Sequence, residues 1–255
     1  MESLRLESAN SWLRYLDFPG DRTPIVFVHG LGVASTFDYP IIASYGDLAG
    51  HRKILPDLLG HGYSDAPRDF TYTIAEHATT IAGLLDHLSI KAGVVFGHSM
   101  GGSVAVMLTV ARPDLVSRLI LSEANLDSGG GFLSRAVAEQ NEDEFVARGH
   151  DAVVEKFKDW PTRVGTFRAT DSIAFHRSAV SLVAGTQPSW REQFYAMELP
   201  RAFVIGEKSG PTEDEIEPFR SRGIATIFVP DAGHDMAIEN PSGVADAIAL
   251  ALHSA

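Results

Sequence analysis

The chain has 255 residues, 45% of them hydrophobic and 21% charged, enough for one large core with room for one insertion. Twenty-one basic residues against thirty-three acidic ones leave a formal charge of -12, which repels nucleic acid and anionic membranes. With no cysteine there are no disulfides and no thiolate chemistry, and with neither a signal-peptide layout at residues 1–5 nor an apolar run of membrane-spanning length, a cytoplasmic location is expected.

Residues 3–8 and 11–17 read as two short strands around Asn10, a hairpin at the edge of a sheet. The run Ile25-Val26-Phe27-Val28 is stopped by His29-Gly30-Leu31-Gly32, which predicts a strand buried on both faces with a tight turn after it. A helix is expected over residues 37–48 and a short strand over 53–55. The glycine-punctuated loop Asp57-Leu58-Leu59-Gly60-His61-Gly62-Tyr63-Ser64-Asp65 follows. Ile74, Ala78, Ile81, Leu85 and Leu88 then keep helical spacing from a Thr73 cap, with Glu76 where a capping box requires it.

The stretch Val94-Val95-Phe96-Gly97-His98-Ser99-Met100-Gly101-Gly102 carries the strongest signal. Three residues of buried-strand type run into G-x-S-x-G, and an apolar helix follows to about Ala111. At such a strand-turn-helix elbow the serine is lifted clear of the backbone, while Gly97 and Gly101 allow strand and helix to pass closely. The helix aims its free N–H groups at the same point. Another buried strand over 118–121 ends at Ser122-Glu123-Ala124-Asn125, and this alternation predicts a mostly parallel sheet covered on both faces.

From Leu126 the rhythm breaks. Gly129, Gly130 and Gly131 form a joint, and helical patches such as 132–140 and 173–183 follow without a strand. Residues 126–196 are therefore expected to be a helical cap inserted between the two parts of the sheet domain, 1–125 and 197–255. Strands resume at 202–205 and 226–229, then comes Pro230-Asp231-Ala232-Gly233-His234-Asp235, and a last helix covers 242–252.

A serine hydroxyl needs a base, most often a histidine oriented by a carboxylate. In an open parallel sheet the reacting groups gather beyond the carboxyl ends of the strands, which singles out His29 and His234. His29 suits bracing its own loop, whereas His234 follows the last strand, as the chain order serine, acid, histidine demands. His98 is expected to be a packing neighbour of Ser99. The histidines show no i, i+4 pairing for a metal, and Glu213-Asp214-Glu215-Ile216-Glu217 lacks the pattern of a calcium loop and reads as a solvated helix start. Neither a metal nor a cofactor is expected. Of the aromatics Phe132, Phe157, Trp160, Phe167, Phe175, Trp190 and Phe194, some are expected to line an apolar acyl pocket and most to be core.

Taken together, His29-Gly30-Leu31-Gly32, the Asp57 to Ser64 loop, Gly97-His98-Ser99-Met100-Gly101-Gly102 and Gly233-His234 resemble, in order and over nearly the whole chain, the alpha/beta-hydrolase fold superfamily of esterases, lipases and C–C hydrolases. The resemblance implies Ser99 as nucleophile, His234 as base, and the backbone N–H groups of Leu31 and Met100 as oxyanion hole. The acid departs from the common pattern. Where most members carry aspartate after the strand at 202–205, this chain has Gly206-Glu207-Lys208-Ser209-Gly210, with Ser209 in the expected place. Some relatives, certain haloalkane dehalogenases among them, set the acid after the preceding strand, which here holds Glu123. Glu123 is thus the first candidate, with Glu207 and Asp214 as alternatives. The implied activity is cleavage of a small carboxylic ester through an acyl-enzyme. C–C bond hydrolysis, lactonase, thioesterase, amidase and perhydrolase chemistry use nearly the same residues, and a ligand receptor that kept the fold is the reading from another class. The expected partner is a small acyl substrate, with neither nucleic acid nor membrane, and the oligomeric state is not readable.

Overall fold

Each apolar run of the sequence becomes a strand longer than itself, because the ladder of backbone hydrogen bonds continues past the buried residues. The computed structural model describes residues 1–254. Its strands are β1 (Glu2–Leu6), β2 (Ser11–Phe18), β3 (Arg22–Val28), β4 (His51–Pro56), β5 (Gly93–His98), β6 (Val116–Ser122), β7 (Arg201–Gly206) and β8 (Ala225–Val229). They form one sheet in the order β1-β2-β4-β3-β5-β6-β7-β8. The hairpin β1–β2 and the β2–β4 pair are antiparallel, and every other pair is parallel.

Successive side chains of the central strands point to opposite faces, and each face has its own core. Val26, Val95, Leu119, Leu121, Phe203 and Ile205 pack on one side with α3 (Ile74–His87) and α4 (Met100–Ala111). Ile25, Phe27, Val94, Phe96, Ile120 and Val204 pack on the other with the C-terminal helix Pro241–His253. The sheet is thus sandwiched between helical layers, an α/β architecture.

The helix expected over 37–48 is broken into α1 (Ser35–Asp38), α2 (Pro40–Ser44) and a 3-10 turn at Gly46–Leu48. Pro40 has no N–H to continue the first helix and so starts the second. The Thr73 cap forms, its hydroxyl accepting from the Glu76 N–H at 3.2 Å. The Glu76 carboxylate, however, reaches back to the Thr71 N–H at 3.1 Å and not to Thr73.

Between β6 and β7 lie only helices among the described residues: α5 (Phe132–Ala138), α6 (Glu142–Glu144), α7 (His150–Lys156), α8 (Pro161–Arg168), α9 (Ser172–Ala184) and α10 (Trp190–Ala196). Val137, Phe145, Val153, Phe167, Phe175 and Ala179 form a separate apolar cluster there. Trp190 and Phe194 of α10 instead join the core beneath the sheet. After β7 come α11 (Glu213–Arg220), α12 (Met236–Glu239) and α13 (Pro241–His253). Among the described residues no helix is long and apolar enough to cross a membrane.

A Cβ on Gly101 would stand 2.2 Å from the Val28 carbonyl oxygen, whereas one on Gly165, within α8, would meet nothing within 4 Å. Gly101→Ala should therefore cost about 1–3 kcal/mol, while Gly165→Ala should stabilise the protein by up to about 1 kcal/mol through helix propensity. Urea-unfolding midpoints that move in opposite directions are the expected result.

Candidate active site

Ser99 stands between the end of β5 and the start of α4 with φ 53° and ψ -122°, a backbone conformation that costs a non-glycine residue about 1–3 kcal/mol. Three bonds hold it: its N–H donates to the Ser122 carbonyl and the Gly102 N–H donates to the Ser99 carbonyl, both at 2.9 Å, and the Asn125 N–H donates to the same carbonyl at 3.3 Å. Its hydroxyl donates to Asn125 Oδ1 at 3.3 Å. Asn125 was no candidate in the sequence. Its only signal there is its place two residues past Glu123 at the end of a buried strand.

His234 lies in the turn after β8, its side chain 54% exposed, with Nδ1 3.7 Å from Glu123 Oε2. That is longer than a hydrogen bond and within reach of an ion pair. Glu123, with φ 45°, is fixed at both ends. Its N–H donates to the Val204 carbonyl at 3.1 Å, and its Oε1 accepts from the Gly206 N–H at 3.0 Å. Burial alone would push this carboxyl up, but His234, the nearby Ser209 hydroxyl and the Gly206 N–H together hold it below the usual range. Ser209, at the place where an aspartate was expected, therefore sits near the Glu123 carboxylate and favours its charged form. Glu207 and Asp214 are both solvent-exposed, and neither is paired with His234.

The loop after β3 runs directly beside the serine, since a Cβ on Gly30 would stand 3.2 Å from Ser99 Cβ. His29 is buried and ties this loop down. Its Nδ1–H donates to the Gly30 carbonyl at 2.8 Å, and its Nε2 accepts from the Leu58 N–H at 2.9 Å. Burial holds its imidazole well below the usual range, so it stays neutral in that tautomer. Asp57 organises the neighbouring loop by accepting from the Thr36 N–H at 2.9 Å and the Tyr63 N–H at 3.0 Å, and burial pushes its carboxyl up to about 6. Met100, the first residue of α4, has a fully buried side chain.

Leu31, Ser99, Asn125 and His234 open on one cavity of about 370 Å³. Of the aromatics named from the sequence, Phe132, Phe157 and Phe167 line it, Phe175, Trp190 and Phe194 are core, and Trp160 is half-buried and belongs to neither. His98 is buried with its ring 4.8 Å from that of His234. Arg163 of α8 also reaches the cavity wall, a residue for which the sequence offered no signal. Among the described residues no cluster of histidine and carboxylate side chains could hold a metal.

Behind the His29 loop lie two more buried histidines, with ring centroids 5.1 Å apart for His29 and His61 and 6.0 Å for His61 and His77. Burial pushes His61 down to about 4 and His77 down to about 3. In the unfolded chain both protonate near 6.5, so below that pH the unfolded state holds more protons and stability falls with falling pH until the folded values are reached. The unfolding free energy should drop steeply between pH 6.5 and 4, and His77→Phe should flatten the slope in denaturant titrations across that window.

Residues 23–209 match the alpha/beta hydrolase fold family. The chain is similar to 2-hydroxymuconate semialdehyde hydrolase of Pseudomonas putida, 37% identical over 102 residues, which are 40% of this chain and 36% of that protein. It thus spans little more than a third of the length of the first curated relatives it matches, 36% and 35%. Its fold is similar to that of a thermophilic esterase from Thermogutta terrifontis, with TM-score 0.77 and 23% identity over 95% of this chain and 93% of that one. It is also similar to that of the enol-lactonase from Burkholderia xenovorans LB400, with TM-score 0.75 and 21% identity over 98% and 99%. The match over residues 23–209, on a sheet and an elbow of this geometry, means that the chain belongs to the alpha/beta hydrolase fold family.

Proposed function

We propose that the protein is a serine hydrolase that cleaves small carboxylic esters through an acyl-enzyme. The observation that carries this reading is the meeting of Ser99 and His234 on one cavity, with Glu123 3.7 Å behind His234 Nδ1. In the proposed reaction Ser99 Oγ turns from Asn125 and attacks the ester carbonyl while His234 takes its proton. The Leu31 and Met100 N–H groups receive the negative charge on the carbonyl oxygen. His234 then returns the proton to the departing alcohol, water activated by the same ring cleaves the acyl-enzyme, and the acid leaves. Glu123 keeps Nδ1 protonated and offsets the charge of the imidazolium.

We assign the helices of residues 126–196 the role of cap over this cavity, with a separate apolar cluster of its own and with α9 and α10 anchored in the main core through Ala174, Leu182, Trp190 and Phe194. A lactone is a cyclic ester and falls within the same reading.

A fluorophosphonate should label Ser99, located by mass spectrometry, and Ser99→Ala should abolish both labelling and hydrolysis of p-nitrophenyl esters from acetate to octanoate. Failure to label or hydrolyse would leave a binding protein on this fold. Glu123→Gln should lower kcat by about two to four orders of magnitude, while Glu207→Gln and Asp214→Asn stay near wild type. Loss of turnover in Glu207→Gln with turnover kept in Glu123→Gln would move the acid to the following strand.

A further inference from the structure

The cavity beside Ser99 has one lysine or arginine among its lining residues, Arg163, and its guanidinium is doubly engaged. Nη1 donates to both oxygens of Asp38, at 3.0 and 3.2 Å. Nε donates to Asp235 Oδ1 at 2.7 Å, and Nη2 stands 2.5 Å from the same oxygen. The side chains of Arg163, Asp38 and Asp235 are 4%, 5% and 23% exposed, so this is a buried cluster and not a surface pair. With all three ionised, two carboxylates stand against one guanidinium, and Asp235 itself lines the cavity. Leu31, Val33, Leu133, Phe157, Phe167 and Leu182 give the same cavity much apolar lining.

An ion pair needs one carboxylate. The second leaves the cluster with an excess negative charge around the one arginine or lysine that lines the cavity among the described residues. A carboxylate entering this cavity would lose its hydration against apolar walls and meet a guanidinium already saturated, with Asp235 beside it. A methyl or aryl end would meet no such opposition.

We propose that Asp38 and Asp235 mask Arg163 and thereby set acyl specificity, so that the site takes an uncharged aliphatic or aromatic acyl group and refuses an acyl chain that ends in a carboxylate. The proposal rests on the ester-hydrolase reading above and adds its substrate class. Asp38 reaches the cavity only through Arg163, so it is a specificity-determining residue that acts at one remove.

Methyl butyrate and monomethyl succinate differ only in a terminal methyl or carboxylate, and their kcat/KM values can be compared by pH-stat titration on a single preparation. Wild type should favour the butyrate by about 100-fold or more. Asp38→Asn keeps the shape and an acceptor oxygen but removes the charge, and should narrow that ratio by about 10-fold or more, chiefly through a lower KM for the succinate. Arg163→Met removes the cation and leaves both carboxylates, so it should not narrow the ratio. Because each ratio is internal to one protein, partial loss of folded enzyme cancels. Equal use of both esters by wild type, an unchanged ratio in Asp38→Asn, or an equal narrowing in Arg163→Met as a merely loosened pocket would give, overturns the proposal. If wild type hydrolyses neither ester, fluorophosphonate labelling and the p-nitrophenyl ester series decide the hydrolase reading, and calorimetric titration of Ser99→Ala with the same two molecules decides this one. Binding of methyl butyrate alone supports it, and equal binding or none overturns it.

Discussion

The parallel pairing of β5 with β6 is the constraint on which the site depends. Its register sets His98 opposite Ser122, so that Ser99 and Glu123 are each the first residue past the same edge of the sheet. The next pair continues the construction, since Ser122 lies opposite Val204 and Gly206 follows two residues on, with its N–H aimed at the Glu123 carboxylate. Gly206 in turn lies opposite Val229, from which the chain needs only a short turn to reach His234. A slip of one residue in any of these pairs would exchange the two faces of a strand, which the separate apolar cores on each side forbid. Residues that lie far apart in sequence are therefore held together by the packing of valines, leucines and phenylalanines that take no part in chemistry.

At that edge the backbone is forced into an unfavourable conformation at both Ser99 and Glu123. Ser99 and Glu123 have φ of 53° and 45°, values a side chain resists. Each is held by a hydrogen bond to the adjacent strand, Ser99 to the Ser122 carbonyl and Glu123 to the Val204 carbonyl. Both turns thus lean on the next strand in the sheet. Gly102 and Gly206 make room for them, because a Cβ on Gly102 would stand 2.3 Å from Ala124 Cβ and one on Gly206 2.4 Å from the Ala232 carbonyl oxygen.

The legible part of this arrangement in the sequence was the part written in local pattern. Apolar runs of strand length, the glycines around Ser99 and the Thr73 cap concern neighbours along the chain, and each corresponds to an element of the structure. Glu123 was a candidate through the resemblance, since some relatives place the acid after this strand, and its proximity to His234 became visible only in three dimensions. Asn125, Asp38 and Arg163 were not legible. Arg163 and Asp38 are 125 positions apart, and nothing in either neighbourhood distinguishes a buried arginine from a solvated one. The broken helix at Pro40 was misread for a different reason: residues on both sides of Pro40 satisfy a helical pattern, and the proline starts a new helix instead of ending the segment.

Two imidazoles lie 4.8 Å apart next to Ser99, and the proposed reaction requires that the proton go to one of them. The surroundings separate the pair. His98 is buried, and burial, with the like charge of a protonated His234 and the Arg163 guanidinium adding to it, holds its imidazole well below the usual range. Its Nδ1 faces the Ser122 hydroxyl at 3.3 Å, and among the described residues no carboxylate is paired with it to balance a charge. His234 is open to solvent and has Glu123 behind it. On the proposed mechanism a proton leaving Ser99 has a carboxylate, Glu123, beside it on His234 and a buried, uncompensated place on His98. On the proposed mechanism, His98 contributes by staying neutral: a second positive charge at 4.8 Å would oppose the imidazolium that Glu123 is placed to stabilise.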